Sequence, residues 1–69
     1  MQTLEQATHV LVVSIRNVIR DCKADGIVGM SLANLKQITP TWGLTCHPAI
    51  YHQAFEIAAK RAAKGFVTE

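Results

Sequence analysis

The sequence predicts an all-α fold of three helices in one domain, with at most vestigial short strands near Ile27–Met30 and Phe66–Thr68. Three observations carry this prediction. Apolar residues recur at steps of three and four through two long stretches. A capping residue stands at the head of each helical stretch, and Gly26, Pro40 and Gly65 punctuate the chain where each should stop. The longest unbroken apolar run, Val10-Leu11-Val12-Val13, is far short of the roughly 20 residues a membrane span needs.

Helix one is expected from about Leu4 to Lys23. Thr3 is a good N-cap, and Gln6 completes a capping-box pattern. Glu5 sits in the first turn, where the helix dipole favours a carboxylate. Leu4, Ala7, Leu11, Ile15, Val18 and Cys22 form one apolar stripe, and Gly26 is placed as a left-handed C-terminal cap. The opposite face holds His9, Arg16, Arg20 and Lys23. Val13 falls among them, with Val10 and Val12 at the flanks, so the middle of this helix is apolar nearly all round. Such a helix is usually buried on more than one side. A second copy of the chain is the expected second cover, with Val10, Val12 and Val13 as the dimer contact.

Ser31 caps helix two, whose inward face is expected to be Leu32, Leu35 and Ile38. Pro40 stops it, and Thr39, standing before a proline, is pushed out of the helical region. Trp42 and Leu44 are expected to fold the turn back onto the core, because a large aromatic in a short connection usually plugs it. Helix three starts between Thr45 and Pro48, with Thr45 or His47 as N-cap and Pro48 tolerated in the first turn. Tyr51, Ala54, Phe55, Ala58 and Ala62 make its inward stripe, widened by Ile50 and Ile57. Gly65 is expected to end it.

Size and composition narrow the function. A chain of 69 residues buries only about 60% of its unfolded surface and is marginal alone. The two cysteines, Cys22 and Cys46, come without a secretory leader pattern, so reduced thiols in a cytoplasmic protein are expected. No metal site is expected, since Cys46, His47, His52, Cys22 and His9 lack ligand spacing. No enzyme or cofactor is expected either. Cys46 and His47 are adjacent, so their side chains diverge, and no other nucleophile–base pairing or phosphate loop is present. The charge is asymmetric. Arg16, Arg20 and Lys23 balance Glu5, Asp21 and Asp25, while Lys36, Lys60, Arg61 and Lys64 face only Glu56 and Glu69, leaving the second half with the net +2.

That asymmetry directs attention to the outer face of helix three. Gln53 can bond an adenine edge bidentately, and Ala49 can touch a thymine methyl. Lys60, Lys64 and, at the boundary, Arg61 can meet phosphates, as can Thr45 and His47 at the helix start. His52 shares this face, and Glu56 opposes phosphate unless it accepts from cytosine. Arg16 and Arg20 are either a second phosphate contact or a solvated line paired with Asp21 or Asp25.

The run from Ser31 to Val67 resembles helix-turn-helix regulators of the winged-helix type, as small mobile elements and phages encode them. In those, a helix begun by Ser or Thr leads through a turn to a recognition helix ending in a basic-Gly-apolar-apolar step, which reads Lys64-Gly65-Phe66-Val67 here. The turn from Thr39 to Leu44 is longer than the tight glycine turn of the simplest versions, and Arg61 stands where a core leucine is expected. The resemblance covers about half the chain. It implies a degenerate winged helix: residues 1–25 as first helix and dimer element, residues 31–69 as the reading unit, and recognition roles on His47, Ala49, His52 and Gln53. The expected function is a homodimeric, sequence-specific regulator that binds double-stranded DNA. The alternative is a small protein-binding inhibitor or adaptor, docking through Val13 and the alanines 49, 59 and 63.

Overall fold

The computed structural model describes residues 1–68; Glu69, counted above among the carboxylates, lies outside them. Three helices form: α1 Leu4–Ala24, α2 Leu32–Ile38 and α3 Pro48–Ala62. Among the described residues no strand forms, and the two expected strands reduce to a single parallel bridge between Met30 and Val67. Among the described residues no helix is long and apolar enough to cross a membrane.

Local chemistry sets the helix ends. The Thr3 hydroxyl accepts from the Gln6 amide at 3.2 Å while the Gln6 side chain accepts from the Thr3 amide at 2.9 Å, which completes the capping box. At the other end of α1, Gly26 (φ +85°) donates to the Lys23 carbonyl and Ile27 to the Cys22 carbonyl. This is the paired Schellman closure that a left-handed glycine permits. Ser31 caps α2 by accepting from the Asn34 amide. His47, rather than Thr45, caps α3: its Nδ1 accepts from the Ala49 amide at 3.2 Å, and Pro48 occupies the first turn. Gly65 does not terminate α3 directly. The helix stops at Ala62, and Gly65 lies in the turn that follows, where the Phe66 amide donates to Ala63.

α1 and α3 are the main packing pair, and they run in the same direction. At their starts, the Gln2 amide donates to the Thr45 carbonyl at 2.9 Å, three residues before α3 begins. At their ends, Met30 pairs with Val67, after Ile27 and Val67 have each been tied back to their own helix. Ala7, Leu11, Ile15, Ile19 and Cys22 of α1 meet Ala54, Phe55, Ala58 and Ala59 of α3, with Leu35 of α2 and Phe66 closing the core. The stripe predicted for α1 is present, but Ile19 is its buried member near Cys22, and Val18 is only half-buried.

Two inward placements are corrected. Ile38 is 49% exposed, while Thr39 is buried and donates from Oγ1 to the Leu35 carbonyl at 2.6 Å. Pro40 forces Thr39 into an extended conformation (φ −78°, ψ 121°), which swings Thr39 inward and leaves Ile38 outside. Trp42 does not plug the core either; it is 88% exposed. It occupies the tip of a turn in which the Leu44 amide donates to Thr41, and Leu44 takes the inward place instead. The alanine docking face is also absent, because Ala59 and Ala63 belong to the core and only Ala49 is exposed.

With a total stability of about 3–10 kcal/mol expected for a chain of this size, no large core side chain is dispensable. Phe55 has no solvent exposure. Phe55→Ala should lose about 3–5 kcal/mol, read as a largely unfolded far-ultraviolet circular dichroism spectrum at 37 °C.

Candidate nucleic-acid interface

At 3.6 residues per turn, Ala49, Gln53, Glu56 and Lys60 fall on the side of α3 opposite Tyr51, Phe55, Ala58 and Ala62. All four are exposed, as the sequence pattern requires. Arg61 is exposed on one flank of this line. Lys64 stands beyond the last helical residue, in the turn after α3, and is exposed too. Lys60 and Lys64 nonetheless converge with Glu56 on the rim of an open groove of about 690 Å³, above Ala59, Ala63 and Val67. Among the described residues, no carboxylate lies within ion-pair distance of Lys60, Arg61 or Lys64.

Two histidines at the start of α3 are committed to structural contacts. His47 spends its Nδ1 lone pair on the cap, so the neutral ring carries its proton on Nε2 and presents that donor outward. His52 Nδ1 lies 3.2 Å from Lys36 Nζ, and an ammonium can only donate, which again leaves Nε2–H free. Lys36 reaches across from α2 and also stands 5.4 Å from the Phe55 ring centroid and 5.9 Å from that of Tyr51, within cation–π range. The Tyr51 and His52 rings lie 5.3 Å apart in a tilted arrangement, and burial pushes the Tyr51 phenol above its ordinary value of 10.0. Sequence periodicity had no means of showing that α2 fixes the His52 ring. Thr45 is exposed, with both backbone polar groups engaged by Gln2.

Arg16 and Arg20 lie elsewhere. They are exposed on α1, opposite its buried stripe, so their face and that of α3 are turned away from each other across the packed pair. Arg20 Nε lies 3.8 Å from Asp21 Oδ1, with both side chains about three-quarters exposed, a pair worth little in water. Val13, 47% exposed, shares this face. Val12 packs against the core, and Val10 is half-buried, so Val13 and Val10 are the accessible part of the expected dimer contact.

Sequence reasoning missed a clasp at the start of the chain. Gln2 donates from Nε2 to the Gly43 carbonyl at 2.8 Å and accepts at Oε1 from the Thr45 amide at 3.0 Å, beside its own backbone bond to Thr45. The side-chain amide acts as an extra peptide unit for the loop. Gly43 adopts φ +87°, the conformation a type II turn demands of its third residue. The exposed Trp42 is thus held on a defined turn. The pattern Pro40-Thr41-Trp42-Gly43 announces a turn, but nothing local announces its partner 41 residues away.

Among the described residues no group of three or more His, Cys, Asp or Glu could hold a metal ion, and both cysteines are free thiols. No protein-family model matches the chain, and no curated protein or solved structure is significantly similar to it. A helix-turn-helix joins its helices by three or four residues, whereas nine, Thr39–His47, separate α2 from α3.

Gln2→Ala should leave the helices intact, cost about 1–2 kcal/mol for two lost side-chain hydrogen bonds, and speed hydrogen exchange at the Thr45 amide more than at amides inside α1.

Proposed function

We propose that this chain is a small sequence-specific DNA-binding regulator that lays the outer face of α3 in the major groove. One observation carries the reading: α3 bears an exposed line of Ala49, Gln53 and Lys60, facing away from α1, with the cations of its C-terminal end unneutralised by any described carboxylate. A major groove about 12 Å wide admits a helix, and the 15 residues of α3 span about 22 Å. Gln53 would read an adenine and Ala49 a thymine methyl. Lys60, Lys64 and Arg61 would meet phosphate. The outward Nε2 donors of His47 and His52, and the Thr45 hydroxyl, would contact the backbone near the helix start. Glu56 would face a cytosine amine. Arg16 and Arg20, on the far side of the helix pair, have no part in this contact.

The reading includes a homodimer, which would double a short footprint through two half-sites. The resemblance of Ser31–Val67 to degenerate winged helices supports the assignment of α3 as the reading element. The nine-residue connection makes this a variant with a long turn.

Duplex binding measured against salt tests the proposal. Binding should weaken steeply as salt rises, and Lys60→Ala should flatten the log–log slope by about one. Gln53→Ala should keep the slope and relax preference at one base pair, a loss of about 1–3 kcal/mol in discrimination. Absence of duplex binding at low salt would overturn the reading.

A further inference from the structure

We propose that Trp42 is the anchor of a reciprocal contact between two copies of this chain, each indole seated in the shallow groove that Gln2, Glu5, Gln6, His9 and Val10 form on the other copy. This deepens the homodimer of the proposed function and rests on self-association alone, whether or not the dimer binds DNA.

The first ground is the state of the indole. Trp42 is 88% exposed, yet its turn is closed by the Leu44–Thr41 hydrogen bond and held by the Gln2 clasp. A large side chain presented on a backbone already ordered loses less entropy on binding than one on a loose loop. Tryptophan in that setting is the residue type most often found at the energetic centre of an interface.

The second ground is adjacency. The groove, about 520 Å³ and open to solvent, starts at Gln2, the residue that clasps the Trp42 turn. At its other end, Val10 Cγ1 stands 4.0 Å from where a Cβ on Gly43 would be. Knob and hole are therefore neighbours on one surface. A two-fold axis between them brings each knob to the other copy's hole, which is the self-complementarity an isologous contact requires.

The third ground is chemical. The stems of Gln2, Glu5 and Gln6, with Val10, give the groove aliphatic walls, and the Glu5 carboxylate supplies an acceptor for the indole N–H, which needs one when covered. The groove lining contains a carboxylate and no lysine or arginine, which disfavours a nucleic-acid strand as the occupant. The cations Lys60, Arg61 and Lys64, unpaired with any carboxylate among the described residues, belong to the far end of the parallel pair, so joining copies at this end keeps them apart.

Area sets the strength. A buried Trp contributes about 150–250 Å². Two such seats with their matching walls bury roughly 600–1,000 Å², below the ~1,200 Å² of a standard stable interface. The exposed Met1, next to Gln2 in the chain, extends the contact, and the dimer is accordingly a weak one that forms with concentration.

Trp42 is the sole tryptophan, so its fluorescence reports the seat directly. With rising protein concentration, emission should shift to shorter wavelength and acrylamide quenching should fall. Both should share the midpoint at which sedimentation passes from 7.6 kDa to twice that mass. Trp42→Ala should sediment as a monomer through the same range, with an unchanged helical spectrum. His9→Glu, which adds a second carboxylate to the groove, should also be monomeric and keep its indole exposed. An equal mixture of the two variants restores one seat of the two, so it should associate more readily than either variant alone but with a midpoint at higher concentration than the wild type. A wild-type dimer whose indole stays fully quenchable, or a Trp42→Ala variant that dimerises with the wild-type midpoint, would overturn the seat while leaving the homodimer standing. A wild-type protein that remains monomeric at every concentration would overturn both, and duplex binding would still be read separately by its salt dependence.

Discussion

Two helices that lie side by side and point the same way cannot be joined by a tight turn. The chain must first travel back along the pair, and here it travels back over α2. That helix has only 7 residues, about 10 Å of the roughly 22 Å that α3 spans. The remainder is covered by non-helical chain, most of it in the nine residues from Thr39 to His47. The long connection is thus a consequence of the parallel pairing. The same return passage makes the core possible. It inserts Leu35, with no solvent exposure, and carries Lys36 over the rings of Tyr51 and Phe55. Without it, one side of two alanine-rich and valine-rich helices would face water.

Parallel packing also aligns the two helix dipoles, which places both positive ends together and both negative ends together. The residues at each end answer this. Thr3 and His47 occupy amides at the shared start, where Glu5 adds a carboxylate. Lys23, Lys60 and Arg61 lie in the last turns at the shared end. These cations therefore stabilise the fold before any ligand arrives, and salt screens both effects. The exposed Gln53 takes no part in this dipole effect, whereas Lys60 does.

How much of this was legible depended on distance along the chain. The caps at Thr3 with Gln6 and at Ser31 are contacts within four residues, and the sequence states them outright. The inward stripes of α1 and α3 follow from periodicity, and so does the exposure of Ala49, Gln53 and Lys60. Trp42 is exposed on a turn whose Gly43 is held by Gln2, 41 residues earlier, whose side-chain amide substitutes for a backbone strand. Ile38 and Thr39 exchanged places because the proline rule, applied correctly to the backbone, also redirects the next side chain. The parallel direction of α1 and α3, and with it the separation of Arg16 and Arg20 from α3's outer face, has no signature in periodicity at all.

The surfaces that result do not compete evenly. Val13, Arg16 and Arg20 share one face of α1, so a contact centred on Val13 would bring cations of two copies together, and a phosphate contact there would exclude the dimer. The end that carries Trp42 has no such conflict. Its groove offers a carboxylate and aliphatic stems, its indole is already held, and it lies away from the cations at the opposite end of the pair. Val10 belongs to both surfaces, being half-buried beside Gly43 and one turn from Val13. A contact that grows from Trp42 toward Val10 covers the apolar flank of α1 while leaving Arg16, Arg20 and the outer face of α3 in water. On charge and on shape, that arrangement would let self-association leave the cation-bearing faces of α1 and α3 in water in a chain of 69 residues.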